Sequence, residues 1–133
     1  MYKRIIFCLL FLFVSAECNE QEKIVSEGAE LFKVKCATCH MSDRPTSKAE
    51  MDALIAPPMV GAMYNVYMNF DTQEEANAFL KDYLMNPTKE KAICKENKLL
   101  RFGLMPSQKG LLSDEELDKI IEYLNKTYGI KYN

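Results

Sequence analysis

The segment Cys36-Ala37-Thr38-Cys39-His40 puts two thiols and an imidazole within about one turn of chain. At Cys-x-x-Cys-His spacing each thiol can form a thioether to one vinyl group of a single porphyrin, and the adjacent imidazole can reach the iron. This is the pattern for covalent attachment of a c-type haem. Other uses of a Cys-x-x-Cys pair fit less well. A structural zinc site needs four ligands, usually with a second pair at similar spacing, whereas Cys8, Cys18 and Cys94 stand singly. A dithiol redox site is expected beside a βαβ pattern, and the residues before Cys36 have helical period. His40 is the only histidine. Two histidines on one iron, and a second c-type haem, are therefore excluded within this chain.

An iron that shuttles electrons without binding substrate needs a second axial ligand. With no further histidine, methionine sulfur is the leading candidate, and Met/His ligation raises the reduction potential. Among eight methionines, Met105 stands out. Gly103 gives the backbone freedom just before it, and Pro106 stiffens the chain just after it, so the sulfur can be presented from a defined loop. Met59, Met63, Met68 and Met85 read first as core packing. The expected metal ligands are His40 and Met105.

Helices must position these groups. Asn19-x-x-Glu22 followed by Ile24, Gly28, Leu31, Phe32 and Lys35 predicts a helix over 20–37 that delivers Cys36. Gly28, one turn before Phe32, suits a close helix contact. Ser47-x-x-Glu50 opens a short helix with Met51, Leu54 and Ile55 inward, ended by Pro57-Pro58. Val60, Met63, Tyr64, Tyr67 and Met68 share one face of a further turn or two. Thr72-x-x-Glu75 caps a clear helix with Ala76, Phe79, Leu80, Tyr83 and Leu84 in its stripe, stopped at Asn86-Pro87. A weaker helical pattern covers 89–94. Ser113-x-x-Glu116 caps a last helix through about Lys126, burying Leu117, Ile120, Ile121 and Leu124 beside Leu112. No repeat and no convincing strand is present, so the fold class is all-α.

The 133 residues amount to one small domain with a leader. Lys3 and Arg4 precede an unbroken apolar run from Ile5 to Val14, too short to span a bilayer and suited to a secretory signal. Val14-Ser15-Ala16 resembles a cleavage site, giving a leader over 1–16, a mature domain over 17–133 and an exported, periplasmic protein. Ser15-Ala16-Glu17-Cys18 is also a partial lipoprotein signal, so membrane attachment enters only if Cys18 is lipidated or the leader retained. Otherwise Cys18 and Cys94 are the thiols left for a disulfide in an oxidising compartment. Losing Lys3 and Arg4 with the leader takes the formal net charge from −2 to −4. Nothing supports nucleic-acid binding. Lys89, Lys91, Lys95, Lys98 and Arg101 make one locally basic stretch, either a solvated face or a docking patch for an acidic redox partner.

The mature sequence resembles the class I cytochromes c. The resemblance is carried by Gly28-Ala29-Glu30-Leu31-Phe32 ahead of Cys36-Ala37-Thr38-Cys39-His40, by Pro57-Pro58-Met59-Val60-Gly61, Asn86-Pro87 and Met105-Pro106, and by Ser113-Asp114-Glu115-Glu116-Leu117 leading to Tyr123-Leu124. It implies a cytochrome c-like fold of four to five helices around one covalently bound haem c, with the terminal helices crossing near Gly28 and Phe32 against Tyr123. It further implies that the Pro57 carbonyl accepts the ring N–H of His40, a bond that fixes the imidazole and raises its basicity. The family usually has Leu where Met59 sits, which leaves an alternative sulfur near the haem, and Tyr64 or Tyr67 is the best candidate donor to the Met105 sulfur. The resulting expectation is a monohaem electron carrier serving redox-partner proteins, rather than an enzyme. The competing readings are a peroxidase-like enzyme or gas sensor with a displaceable distal ligand, and a subunit of a larger respiratory complex.

Overall fold

The computed structural model describes residues 2–130, with side chains from Asn19 onward. Its helices are α1 (Tyr2–Lys35), α2 (Lys48–Ala53), α3 (Met59–Tyr67), α4 (Gln73–Met85), α5 (Glu96–Phe102) and α6 (Asp114–Tyr128). The described residues form no strand beyond one isolated bridge, Lys109 to Leu112. The fold is all-α, with six helices where four to five were expected.

The frame is the pair α1 and α6, which share the most extensive interface; α3 and α4 pack on α6 and on each other. Glycine at position 28 makes the crossing close. A Cβ there would fall on the carbonyl oxygen of Lys119 and lie only 2.9 Å from the Cβ of Tyr123. One turn later the Phe32 ring meets Tyr123 at 5.3 Å between centroids. Leu117, Ile120, Ile121 and Leu124 of α6 are buried with Phe32, Ala76 and Leu80 in one core. Each of these side chains but the smaller Ala76 contributes on the order of 1.5–3 kcal/mol by leaving water.

Two ties reinforce the frame. Lys119 bridges α6 to α1 through Glu27, at 2.8 Å, while also pairing with Glu115 at 2.7 Å. Inside, Tyr67 donates its hydroxyl to Asn125 Oδ1 at 2.6 Å, and Asn125 Nδ2 donates to Asn77 Oδ1 at 3.0 Å. Tyr67 is buried, so this chain of bonds satisfies polar atoms that would otherwise be costly in the core.

Two of the four capping signals act as read, and Asn19-x-x-Glu22 opens no helix, because α1 already runs through it. Thr72 and Ser113 each form a complete capping box. Ser47 accepts from the Glu50 N–H, but the Glu50 carboxylate turns back to Thr46 instead, taking its N–H at 2.6 Å and its hydroxyl at 3.0 Å. Several of these carboxylates are held below the ordinary glutamate value of 4.5: Glu27 first by the hydrogen bond from Lys119, Glu50 by the Thr46 N–H, and Glu116 by the Ser113 N–H. A carboxylate with a depressed folded-state pKa stabilises above its unfolded value and loses that contribution as pH falls through its folded value. Thermal denaturation should therefore be nearly flat from neutral pH to about 5 and weaken below the ordinary carboxylate range near 4.5. Added salt should blunt the effect, since these groups are exposed.

Other expectations are corrected. The N-terminal helix does not start near residue 20: α1 runs unbroken from Tyr2 and ends at Lys35. Neither glycine nor proline separates the apolar leader from the amphipathic stretch, so nothing interrupts it. Met51 and Ile55 are exposed rather than inward, and on α3 Tyr64 and Met68 are exposed while Val66 joins Met63 and Tyr67 in the core. The weak pattern over 89–94 is a turn anchored by Ala92 N–H on Thr88 O, at 3.2 Å, and the helix follows as α5. The proposed leader and Cys18 fall outside the residues whose side chains are described; Cys94 is an exposed thiol.

Candidate haem-attachment site

At the end of α1 the chain tightens. Cys36 N–H and Ala37 N–H both donate to Phe32 O, at 2.8 and 2.9 Å. Cys39 N–H and His40 N–H then both donate to Cys36 O, at 3.1 and 2.9 Å. The bifurcated pairs fold 36–40 into one compact turn, so both thiols and the imidazole emerge from a single rigid platform. Cys36 is half-buried and Cys39 exposed. Burial, then the neighbouring Cys39, pushes the Cys36 thiol up to about 11.

His40 is fixed from the other side. Its Nδ1 lies 2.8 Å from the Pro57 carbonyl oxygen. A carbonyl can only accept, so the proton sits on Nδ1 and Nε2 keeps its lone pair. Burial lowers the His40 pKa from its usual range, partly offset by the Pro57 bond, which keeps the ring neutral and the lone pair available near pH 7. Pro57 and Pro58 make this acceptor rigid: neither has an N–H, and Pro58 holds φ −54° and ψ 139° as it opens α3. One further bond, Met59 N–H to Met41 O at 2.7 Å, clamps the segment after His40 to the same place. Tyr128 at the end of α6 adds a hydroxyl bond to Ser42 O at 3.3 Å.

Cys36, Cys39, His40 and Pro57 thus form one unit. Met105 belongs to another, the loop between α5 and α6. It is half-buried, with Gly103 at φ 72° closing α5 before it and Pro106 after it. Of the other methionines, Met59 and Met63 are core residues and Met68 is exposed. Of the tyrosine candidates for the Met105 sulfur, Tyr67 does not fit that role, because its proton is committed to Asn125. Sequence reasoning also missed the fastening of this loop to α4 through Ser107 and Gln108. Their only signal was position, two and three residues after a candidate ligand.

A family model described as cytochrome c matches residues 25–127. The chain belongs to the cytochrome c family. As a member, the cytochrome binds covalently attached haem c. It is also similar, at 29% identity over 116 residues, to an uncharacterized protein of Aquifex aeolicus (strain VF5), covering 79% of this chain and 76% of that protein. No solved structure matches it.

The residues present suit such a group. Among the described residues, helices α2 and α5 bury no side chain and have no close backbone packing against another helix. They are joined by Arg101, whose Nη2 donates to Met51 O at 2.5 Å. Between them they carry or border Met51, Ile55 and Leu100, the last 80% exposed, and Tyr64 and Met68 on α3 are likewise exposed. Short helices without a packing partner are marginal in water. A flat apolar macrocycle tethered at Cys36 and Cys39 is the kind of surface such side chains need.

Proposed function

We propose that this cytochrome is a monohaem electron carrier of the class I type, with haem joined to Cys36 and Cys39 and its iron held between His40 Nε2 and Met105 sulfur. The observation that carries the reading is the His40 Nδ1 to Pro57 O bond of 2.8 Å, because it selects the tautomer and aims the remaining nitrogen. Bound haem supplies a reversible one-electron couple. The chain's part would be to supply the two protein ligands, His40 and Met105, whichever oxidation state the group is in. His40 does so from a rigid turn, neutral and unable to rotate without breaking its bond to Pro57. Met105 does so with a soft thioether that favours the reduced state and raises the potential.

The exposed lysines Lys89, Lys95 and Lys98 suit docking to an acidic redox partner, whereas Lys91 is engaged with Asp82 at 2.6 Å. The apolar run Ile5 to Val14 and the small residues Val14-Ser15-Ala16 support export to the periplasm with a mature chain from Glu17, or retention at a membrane if Cys18 is lipidated.

The oxidised protein should display the near-infrared sulfur-to-iron charge-transfer band, and Met105→Ala should abolish it while Met59→Leu and Met68→Leu retain it. A band that persists in Met105→Ala refutes the ligand assignment. A high-spin wild-type protein that turns over peroxide refutes the carrier assignment.

A further inference from the structure

The hydrogen bonds around Met105 are arranged asymmetrically. On its N-terminal side, Gly103 N–H caps α5 on Leu99 O at 2.9 Å, and the left-handed Gly103, at φ 72°, is followed by Leu104. On its C-terminal side the chain is fastened at several points. Ser107 Oγ donates to Met85 O at 2.5 Å, and Gln108 N–H donates to Leu84 O at 2.9 Å. Both acceptors lie in the last turn of α4, where carbonyls have no partner within the helix. Ser107 Oγ also accepts from Lys109 N–H at 3.2 Å, and Gln108 Nε2 donates to Pro106 O at 2.9 Å, so the loop is closed on itself as well as on α4. Gln108 O then takes Leu111 N–H and Leu112 N–H, at 2.9 and 3.2 Å, which leads into the buried Leu112 and the start of α6.

We infer that Ser107 is the positioning residue for Met105: its hydroxyl, plugged onto the C-terminal carbonyl of α4, sets how readily the Met105 sulfur leaves the iron and a small exogenous ligand enters. This rests on the Met105 assignment proposed above. The physical reason is leverage. Pro106 is the sole residue between Met105 and Ser107, and its fixed φ transmits the position of Ser107 to Met105 with little slack. Leu104 and Gly103 on the other side offer a left-handed hinge rather than an anchor. Freeing Ser107 would let the loop swing about Gly103, with Gln108 as the remaining clasp. α4 is thereby given a role in the site although it contributes no ligand.

The test uses the haem-loaded protein in the oxidised state and titrates imidazole against the sulfur-to-iron band. Ser107→Ala should bind imidazole about tenfold more tightly than wild type, the net worth of one ordinary hydrogen bond. Ser107→Thr, which keeps the hydroxyl on an exposed position, should stay close to wild type. The bond is also lost from the folded state, so the thermal midpoint of helix loss should fall by only a few degrees in Ser107→Ala and stay near wild type in Ser107→Thr; a much larger fall in Ser107→Ala would mean general loosening and overturn the inference. Imidazole affinity in Ser107→Ala within about twofold of wild type overturns the inference, as does equal tightening in Ser107→Thr. Met105→Ala serves as the control: if that variant retains the band, the ligand assignment itself has failed, and the role of Ser107 falls with it.

Discussion

Gly28→Ala should destabilise the cytochrome by about 2–3 kcal/mol, the upper part of the range for overpacking a tight contact. On helix propensity alone the change would help by about 1 kcal/mol, because glycine inside a helix is unfavourable relative to alanine. The crossing reverses the sign. The added methyl group would strike the Lys119 carbonyl, whose carbon lies 2.7 Å from its position, as well as the Tyr123 Cβ at 2.9 Å. Two of the atoms met are backbone, so no rotamer change relieves the collision and the helices must part. Parting them loosens the ring contact of Phe32 with Tyr123 and the layer of Ile120, Ile121 and Leu124 behind it. The Lys119 bridge to Glu27 would lengthen as well. Thermal melting of the haem-loaded protein should show a drop of roughly 10 °C or more for a domain of this size. A midpoint unchanged or raised by the alanine would mean that α1 and α6 do not cross at this position.

His40→Ala should leave haem covalently held but change its spectrum from low-spin to high-spin and sharply lower its reduction potential. The thioether tethers come from Cys36 and Cys39, so the haem stain should survive denaturing electrophoresis at the protein's normal mass. No other imidazole can replace the lost one, since His40 is the only histidine in the chain. Deletion also leaves the Pro57 carbonyl without its partner, with a cost of about 1–3 kcal/mol if it stays dry. Added imidazole should fill the cavity and restore a low-spin spectrum, although the Pro57 bond would then have to be made by a ligand free to rotate. A variant that remains low-spin without imidazole, at a pH acidic enough to keep every lysine amine protonated, would show that His40 is not an axial ligand.

Much of this protein was legible residue by residue. The Cys-x-x-Cys-His run specifies its own chemistry because the groups are neighbours in the chain, and a tight turn is enough to present them together. The capping boxes at Thr72 and Ser113 and the apolar stripe of α6 were equally readable, since the hydrogen bonds and periodicity involved close within four residues. Gly28 signalled a close approach through the cost of a glycine in a helix, and the crossing at Lys119 supplies the reason for it.

What the tertiary structure decided involves partners far apart in sequence. Whether Met51 and Ile55 face inward depends on what covers α2, and no other helix does. Tyr67 was read as a candidate near the sulfur, but its hydroxyl is taken by Asn125, 58 residues away. The end of α4 holds Ser107, 22 residues beyond Met85, because helix-terminal carbonyls must find donors and this loop brings one. The sequence by itself determined which haem chemistry the turn at Cys36, Cys39 and His40 can carry, since spacing within one turn is a local property. The brace from Pro57 was already implied by the family resemblance, but only the fold decided how the Met105 loop is braced by α4, since long-range hydrogen bonds are chosen by packing.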